Sequence, residues 1–521
     1  MISRLGQTVS AAVLVFSAAS PVASQVVFTD ITGRAGIALT GVLIESVAWG
    51  DYDNDGDEDL YLTGDGSNRL FRNDGRGAFT DVTSVARVGN TLFGVGTAFG
   101  DLDNDGDLDL YVVNFNDGPD VLYRNDGPVG PDRAYRFTDV TTAAGTTVQR
   151  SSRGMAFVDY DRDGLLDIFV LAIGPNILYH NEGGLRFRNV AGELGVDQND
   201  QGVGVVAVDI DNNGWPDLFT GNRSNNLSNL YLNDGGEFTD IATSAGLTKR
   251  GLGMGVAAFD SDNDLDFDLY WTSWPQVSNA MYENRGDLEF ENVELASGTD
   301  DPRGWGISVN AGDVDLDGWQ DFFVTNGFDN STSPNVFFLN DRDGSFSDIT
   351  ATIGGGEFDG RGVAFADFDN DGDLDLVVTA DAGQATRLWR NDTATGNHWL
   401  GLRLRGTASN ASAIGARVVV RTAVGAMVQE VSGGAGRGSQ NSLPLEFGLG
   451  AATVVEKLFV RWPSGTVQTF RNVAVDQYLE LTEPRTATHR SGRRRVPRGQ
   501  GNRVISDRVI SGQPIDSSTD H

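Results

Sequence analysis

The feature that most constrains this chain is an acidic nine-residue pattern, D-x-D-x-D-G-x-x-D, that recurs seven times. The copies begin 50 to 58 residues apart, at 51–59, 101–109, 159–167, 209–217, 260–268, 313–321 and 367–375. Such a period is typical of radial repeat architectures, in which each repeat builds one four-stranded blade. The repeat therefore predicts a seven-bladed β-propeller.

Three further landmarks recur with each acidic loop. An apolar run such as residues 60–62 follows the loop, then a phrase like LFRNDG at 70–75, then a phrase like FTDVT at 79–83. Aromatic and β-branched runs bounded by Asn, Asp and Gly are typical of strands and tight turns. Helical periodicity is nearly absent, so the predicted fold class is all-β.

The order of these landmarks predicts how the ring closes. The Phe phrase first occurs at Phe28, ahead of the first loop, while the last repeat ends at residues 388–391 without one. We expect a strand near residues 26–32 to complete the seventh blade, which would leave no long open edge.

The acidic pattern has the ligand logic of a calcium site. Side-chain oxygens at positions 1, 3, 5 and 9 and a backbone carbonyl at position 7 converge if the chain turns sharply at position 6, where glycine permits a positive φ. Oxygen-only ligands of high charge select a hard cation, and Ca²⁺ tolerates an irregular cage better than Mg²⁺ does. Asp, Asn and Gly are also ordinary turn formers. That simpler explanation suits one or two loops, but not acids at the same offsets in seven.

The interpretation predicts up to seven Ca²⁺ sites, built from positions 1, 3, 5, 7 and 9 of each loop. The predicted ligands are Asp51, Asp53, Asp55, Asp57 and Asp59 in loop 1, Asp101, Asp103, Asp105, Asp107 and Asp109 in loop 2, Asp159, Asp161, Asp163, Leu165 and Asp167 in loop 3, Asp209, Asp211, Asn213, Trp215 and Asp217 in loop 4, Asp260, Asp262, Asp264, Asp266 and Asp268 in loop 5, Asp313, Asp315, Asp317, Trp319 and Asp321 in loop 6, and Asp367, Asp369, Asp371, Asp373 and Asp375 in loop 7. Loop 4 loses a charge at Asn213. Loop 5 carries Leu265 in place of the turn glycine, so its site is expected to be the weakest, or altered in geometry.

Composition limits the partners. The chain has 521 residues, no cysteine and a formal charge of −34. The charge argues against nucleic acid as a partner, because polyphosphate would be repelled. The absence of cysteine excludes disulfides and thiolate chemistry.

The ends of the chain differ from the repeats. Residues 1–24 have a short basic start, an apolar stretch too short to span a bilayer and small residues ahead of Gln25, which is typical of a secretory signal peptide. No later stretch is apolar enough for a transmembrane helix. Residues 396–484 alternate in hydropathy with glycine turns, which predicts a small β-sandwich-like domain after the propeller at 25–395. Residues 485–521 are predicted to be a disordered basic tail.

These residues carry two resemblances. The loops, with the Phe99-Gly100-Asp101 step, resemble the FG-GAP/VCBS repeats of integrin-α-like propellers over about residues 26–392, which implies calcium binding in the loop between the first two strands of each blade. The segments 397–400, 414–418, 447–450 and 460–465 resemble the ASPIC/UnbV domain. Together they resemble the cartilage acidic protein family, which implies a secreted calcium-binding protein. The glycine-rich run 432–440 departs from that domain because it lacks an expected aromatic near its Ser-Gln pair.

Three functions are compatible with the sequence. The first is an exported calcium-binding propeller acting as a binding or adhesion module for protein or glycan partners, located in the periplasm, on the cell surface or outside the cell. The second is a carbohydrate-active enzyme using the central face, and the third a structural component of an envelope or matrix. No His-Ser-Asp set, zinc cluster or reactive cysteine is available, since only four histidines exist. We therefore expect a non-enzyme, with the partner's identity and the oligomeric state left open.

Overall fold

The computed structural model describes residues 26–485 except 67, 76, 117, 200, 224–226, 275–276, 302–304, 329–333 and 355–357. The predicted signal peptide and nearly all of the predicted basic tail lie outside the described residues. Within them the protein is all-β, which confirms the predicted fold class. None of the helices that these residues form is long and apolar enough to cross a membrane.

In the part of the chain that the structure describes, seven antiparallel four-stranded sheets make up the propeller, and each is called a blade below. The N-terminal strand is β1 (Phe28–Asp30). Blade 1 has β2 (Ile44–Gly50), β3 (Asp59–Gly64), β4 (Arg69–Asn73) and β5 (Phe79–Asp81). Blade 2 has β6 (Phe93–Gly100), β7 (Asp109–Phe115), β8 (Val121–Val129) and β9 (Ala134–Asp139). Blade 3 has β10 (Ser152–Val158), β11 (Asp167–Ala172), β12 (Ile177–Asn181) and β13 (Phe187–Asn189). Blade 4 has β14 (Gly202–Val208), β15 (Asp217–Asn222), β16 (Asn229–Asp234) and β17 (Glu237–Asp240). Blade 5 has β18 (Leu252–Phe259), β19 (Asp268–Trp274), β20 (Ala280–Asn284) and β21 (Phe290–Asn292). Blade 6 has β22 (Gly306–Gly312), β23 (Asp321–Asn326), β24 (Val336–Asn340) and β25 (Phe346–Asp348). Blade 7 has β26 (Gly360–Ala366), β27 (Asp375–Ala380) and β28 (Arg387–Asn391).

The N-terminal strand completes blade 7, as the order of the landmarks predicts. β1 pairs with β28 antiparallel, with Phe28 opposite Asn391, so the blade has the order β1-β28-β27-β26. The innermost strands of successive blades contact one another, and β26 contacts β2, which closes the ring. Short turns follow the outer strands: α1 (Thr32–Ala35), α2 (Thr83–Ala86), α3 (Thr141–Ala144), α4 (Glu294–Ser297) and the 3₁₀ turn Thr350–Thr352.

The propeller core lies between neighbouring blades. Trp49 of blade 1 has its ring centroid 6.1 Å from that of Phe79 and 6.3 Å from that of Phe368 in blade 7, and all three rings are buried. The innermost strands are buried along nearly their whole length, as in β10 and β14. They therefore read as apolar runs interrupted by glycines, without the alternation of a half-exposed sheet.

The C-terminal domain consists of two sheets around a shared core. One has the order β32 (Leu445–Gly450), β29 (His398–Arg405), β35 (Gln477–Thr482), and the other the order β31 (Ala426–Glu430), β30 (Arg417–Arg421), β33 (Val454–Arg461), β34 (Val467–Ala474). Leu402, Val420, Phe447 and Val460 are buried in one cluster that continues into blades 2 and 3 of the propeller. The two parts of the chain thus share one hydrophobic core.

The glycine-rich run of this domain enters the central channel of the propeller. Residues 432–442, called the plug below, hydrogen-bond to the innermost strands of blades 1, 2, 3, 5, 6 and 7. At blade 4, Gly204 approaches so closely that a Cβ there would lie 2.4 Å from the Gly436 carbonyl oxygen. Gln440 is fully buried and pairs through its side-chain amide with both backbone groups of Phe99 (2.7 and 2.9 Å). The Ser-Gln pair is therefore part of the contact that holds the domain to the ring.

Removing the closing strand tests the ring. A chain beginning at Thr32, which lacks β1, should melt well below a chain beginning at Val26, because β28 would expose an unpaired edge and Phe28 would no longer pack 5.7 Å from Phe337. Differential scanning calorimetry of both chains measures the difference. Equal melting temperatures would show that closure does not depend on β1.

A single substitution tests whether the plug is tightly packed in the channel. Gly438 has φ +74°, and a Cβ there would lie 2.9 Å from the Cα of Gly96, so Gly438→Val should destabilise the protein by about 2–4 kcal/mol. Gly425→Val is the matched control, since no atom lies within 4 Å of a Cβ at that position. Urea unfolding of both variants makes the comparison, and similar losses would contradict a tightly seated plug.

Candidate metal centres in the seven acidic loops

Each acidic loop joins the innermost strand of a blade to the next strand. Position 1 directly follows the innermost strand, as Asp51 follows β2, and position 9 begins the second strand, as Asp59 begins β3. Because the innermost strands of all blades run the same way around the channel, the seven loops lie at one end of the ring. The carboxylates at position 9 are fully buried, with exposures of 0 or 1%.

Two aspartates close every loop on itself. The position-1 carboxylate accepts a hydrogen bond from the backbone N–H of position 6 in all seven loops, at 2.8 to 3.2 Å. The position-9 carboxylate accepts one from the N–H of position 2, also in all seven. The sharp turn at position 6 therefore has the positive φ that the glycines predict.

The asparagine of the LFRNDG phrase ties each loop to its own blade and to the preceding one. Its N–H donates to the second oxygen of the position-9 carboxylate in all seven blades. In six blades its side-chain amide also donates to the position-2 carbonyl of the previous loop, as from Asn125 to Tyr52 (2.9 Å). The sequence shows this asparagine as a turn residue, but the structure makes it a clamp between blades.

The folded loops bring carboxylates of positions 1, 3 and 9 together. In loops 1 to 4, one oxygen from each of these three aspartates lies within 4.8 Å of the other two. A hard, oxygen-preferring cation requires such a set of carboxylate oxygens held close together in space. Three of the predicted ligand positions thus converge in these loops.

Buried oxygens without a partner support the fit to a cation. Six of the loops contain at least one buried carboxylate oxygen that has no hydrogen-bond partner among the described residues. These are Oδ1 of Asp53, Asp103, Asp159, Asp209, Asp260 and Asp369, together with Oε2 of Glu58 in loop 1. A buried anionic oxygen left unpaired is costly, and a bound cation would satisfy it.

The pKa values of the loop carboxylates also show that ionised groups are costly at these positions. Burial, followed by the neighbouring carboxylates, raises the pKa of Asp159 and of Asp260 to about 8. Burial chiefly raises the pKa of Asp53 and of Asp101 to about 6. Without a cation, these loops therefore retain protons at pH values where an exposed aspartate is ionised.

Positions 5 and 7 act differently from the other predicted ligands. In every loop the position-5 side chain accepts a hydrogen bond from the N–H of position 7. The position-7 carboxylates of Asp57, Asp107 and Asp266 point to the neighbouring loop and accept from its position-4 asparagine at 2.7 to 2.8 Å. Coordination through the position-7 carbonyl stays a prediction, while these side chains hold neighbouring loops together.

Loops 4 and 5 depart from the pattern in different ways. Leu265 adopts φ +78°, and its N–H still reaches Asp260 at 3.1 Å, so loop 5 keeps the common geometry at the cost of backbone strain. The weaker binding and the altered metal geometry expected for loop 5 stay predictions. In loop 4, the guanidinium of Arg461 from the C-terminal domain binds the Asp209 carboxylate, which adds positive charge beside the site.

His180 is a site residue that the repeat pattern does not identify. Its Nδ1 lies 3.2 Å from Oδ1 of Asp167 and 3.5 Å from Oδ2 of Asp161, and the ring is half-buried. The hydrogen bond to Asp167 raises the pKa of His180. In blades 1, 2 and 7 the same position of the LFRNDG-like phrase holds Arg72, Arg124 and Arg390. Basic residues at this position are the sequence signal that it faces the acidic loop.

The C-terminal domain packs on the loop end of the ring. Tyr478 donates to the position-1 carboxylate of Asp367 at 2.7 Å, and Arg403 donates to the Gly56 carbonyl at 3.1 Å. Arg417 donates to the Asp209 and Leu265 carbonyls at 3.0 and 2.6 Å. The sequence separates these partners by more than a hundred residues, so only the fold reveals the contact.

Family profiles match most of the chain. The FG-GAP-like repeat profile matches residues 51–112, 101–170, 159–220, 209–271 and 313–378, and the FG-GAP repeat profile matches 360–397. The ASPIC and UnbV profile matches 406–488. The chain is an FG-GAP repeat protein with an ASPIC/UnbV domain. The matched repeats of this FG-GAP protein begin at loops 1 to 4 and 6, and the resemblance stated from the sequence is confirmed.

Known relatives share part of this FG-GAP protein. Cartilage acidic protein 1 of Mus musculus is 30% identical over 66% of the chain, and that of Homo sapiens is 30% identical over 67%. The chain spans 56% of the length of each of these relatives. Similar solved structures include an Agrocybe aegerita lectin that recognises terminal N-acetylglucosamine (16% identity, TM-score 0.41, 67% of this chain and 94% of that one). Rhamnogalacturonan lyase YesW is another, with 14% identity, a TM-score of 0.38, and coverage of 67% of this chain and 71% of that one.

Chelation at two pH values tests the loops. Raised carboxyl pKa values favour the protonated folded state, so this contribution to stability is full below about pH 4 and is lost as pH rises through 6 to 8. In chelator, the melting temperature should therefore fall between pH 5 and pH 8. Calcium should raise the melting temperature most at pH 8. Each occupied site adds about 2.7 kcal/mol to the free energy of unfolding when free calcium is a hundredfold above Kd. A chelated protein that melts equally with and without added calcium at pH 8 would show that the loops are turns only.

Proposed function

We propose that this protein is an exported calcium-binding propeller that serves as a binding or adhesion module for protein or glycan partners. The single observation that carries the proposal is the buried, unpartnered carboxylate oxygen repeated in six of the seven loops. Turn formation alone requires no such oxygen, whereas a divalent cation would use it. The residues at positions 1, 3 and 9 would hold the ion, which supplies positive charge and no redox chemistry.

Calcium would have a structural role that extends beyond each loop. The same position-1 aspartates that would bind the ion accept hydrogen bonds from Tyr478 and Arg461 of the C-terminal domain. Neutralising the loops would therefore stabilise the ring and the seat of the second domain together. Free calcium is usually high outside the cytoplasm, which fits the predicted signal peptide and a location in the periplasm, at the surface or in the medium.

A binding role is favoured over catalysis by how the acids near the channel are used. Glu45 pairs with Arg437, and Asp381 pairs with Arg361 at 2.5 Å, so both carboxylates are engaged in ion pairs. Acid–base catalysis by a carboxylate pair requires groups free to take and give a proton. We therefore propose a non-enzyme, with a role in an envelope or matrix assembly as a variant of the same binding function.

Calcium counting on a matched pair of variants tests the proposal. The triple variant Asp53→Asn, Asp103→Asn, Asp369→Asn removes a position-3 charge from loops 1, 2 and 7 and should lose about three bound ions by elemental analysis after dialysis. The control is Asp74→Asn, Asp126→Asn, Asp392→Asn, which removes the same charge from the aspartates that pair with Arg72, Arg124 and Arg390 in the same blades. The control should keep the calcium content of the unaltered protein. The proposal would be rejected if the unaltered protein binds no calcium, or if the two triple variants lose equal amounts of calcium.

A further inference from the structure

A second cluster of charged residues lies at the opposite end of the channel from the acidic loops. Arg153 is near the start of β10, six residues before loop 3, which places it about 20 Å along the strand from that loop. Arg361 has the same place at the start of β26, and Arg223 follows the far end of β15. Arg437 lies on the plug and binds Glu45 near the start of β2. These four residues are called the arginine group below.

The arginine group is unusual in a chain of charge −34. Arg153, Arg361 and Arg437 are all more than nine-tenths buried, at 8, 2 and 6% exposure. Among the described residues, no carboxylate lies within ion-pair distance of Arg153 or Arg223. Burial, followed by the charges of Arg223 and Arg437, lowers the pKa of Arg153 to about 10. Among the described residues, four arginines thus lie together with three carboxylates as ion-pair partners, and all three bind Arg361 or Arg437.

Unsatisfied donors occur in the same cluster. Nε of Arg153, of Arg361 and of Arg437 is buried and has no hydrogen-bond partner among the described residues. The same holds for the indole Nε1 of Trp274. Buried donors are normally paired, and a run of unpaired donors is typical of a site that is completed by a ligand or ordered water.

Three half-buried aromatic rings stand beside the arginines. The centroid of Trp274 is 5.6 Å from that of Trp305 and 5.9 Å from that of Phe328, both edge-on at 74°. The Arg223 guanidinium lies 4.6 Å from the Trp274 ring, and the Arg361 guanidinium 3.7 Å from the Phe328 ring. Phe328 itself has φ +74°, a strained conformation for an aromatic residue. Strain of this kind, held in place by the fold, occurs preferentially at ligand sites.

We infer that this end of the channel binds an acidic saccharide. Guanidinium groups recognise carboxylates and sulfates by paired, charge-assisted hydrogen bonds, for which Arg153 and Arg223 are available. Half-buried indole rings such as Trp274 and Trp305 offer flat apolar faces for the C–H face of a sugar ring, next to polar groups that fix its orientation. A peptide that adds to a strand needs a row of free backbone groups. This cluster instead gathers side chains from several blades at one end of the channel.

The site also depends on the C-terminal domain. Arg437 reaches it only because the plug passes through the channel, where its N–H donates to Ser308 at 3.0 Å. The ligand site would therefore be complete only in a chain with both domains docked. The inference rests on the proposed role as a binding module and adds the ligand class, but it does not depend on calcium.

Calorimetric titration of the full, calcium-loaded chain tests the inference. The probes are a hyaluronan tetrasaccharide, which carries carboxylates, a chondroitin sulfate tetrasaccharide, which adds sulfates, and neutral chitotetraose. At least one acidic probe should bind, and chitotetraose should not. Which acidic probe binds more tightly identifies the preferred anion.

Variants locate the binding. Arg223→Gln should weaken binding of the acidic probe about tenfold or more, and Trp305→Ala should weaken it as well. Arg34→Gln is the matched control, because Arg34 is an exposed arginine on α1 and lies outside the cluster. Arg223 is half-buried, so its variant should fold; an unchanged melting temperature verifies this.

Several outcomes would overturn the inference. These are no binding of either acidic probe, binding that Arg223→Gln leaves unchanged, and equally tight binding of tetraglutamate, which would show a site for acidic peptides. Calcium content measured on the same samples separates this result from the proposed function. Acidic saccharide binding in a protein without calcium would reject the calcium proposal alone.

Discussion

The structure depends on a buried carboxylate at position 9 of each acidic loop. In Asp59 and its six counterparts, one oxygen holds the start of the loop and the other holds the third strand of the blade, with the side chain excluded from solvent. An ionised group at such a depth is stable only when its oxygens are paired or when a cation is near. Loop, blade and neighbouring blade are therefore organised around the same seven groups.

This constraint links the ring to the C-terminal domain. The loops gather negative charge at one end of the propeller, and the domain that covers that end presents Arg403, Arg417 and Arg461 to the loop carbonyls and carboxylates. The plug then extends from the covered end through the channel and carries Arg437 to the opposite mouth. The two ends of the channel thus differ in their charged groups, with clustered carboxylates at one and arginines, in part paired with acids, at the other.

Sequence reasoning succeeded where a local pattern repeats. The strands, the turn at position 6 and the closing strand at Phe28 follow from motifs whose meaning is contained in a few neighbouring residues. It does not show that Leu265 keeps the turn of loop 5, because the turn needs a positive φ that this residue alone disfavours. It also did not identify His180, because a slot that varies between repeats does not show which way its side chain points.

The sequence by itself determined the all-β repeat architecture, the family and the loops in which carboxylates recur, because these depend on spacing along the chain. The tertiary structure alone decided which oxygens stay buried without a partner, how Asn125 and its counterparts join neighbouring blades, and where the glycine-rich run lies. The arginine group belongs to this second class. Its members come from positions 153 to 437, and only closure of the ring around the plug makes them neighbours. Contacts between residues so far apart leave no periodic trace in a single sequence.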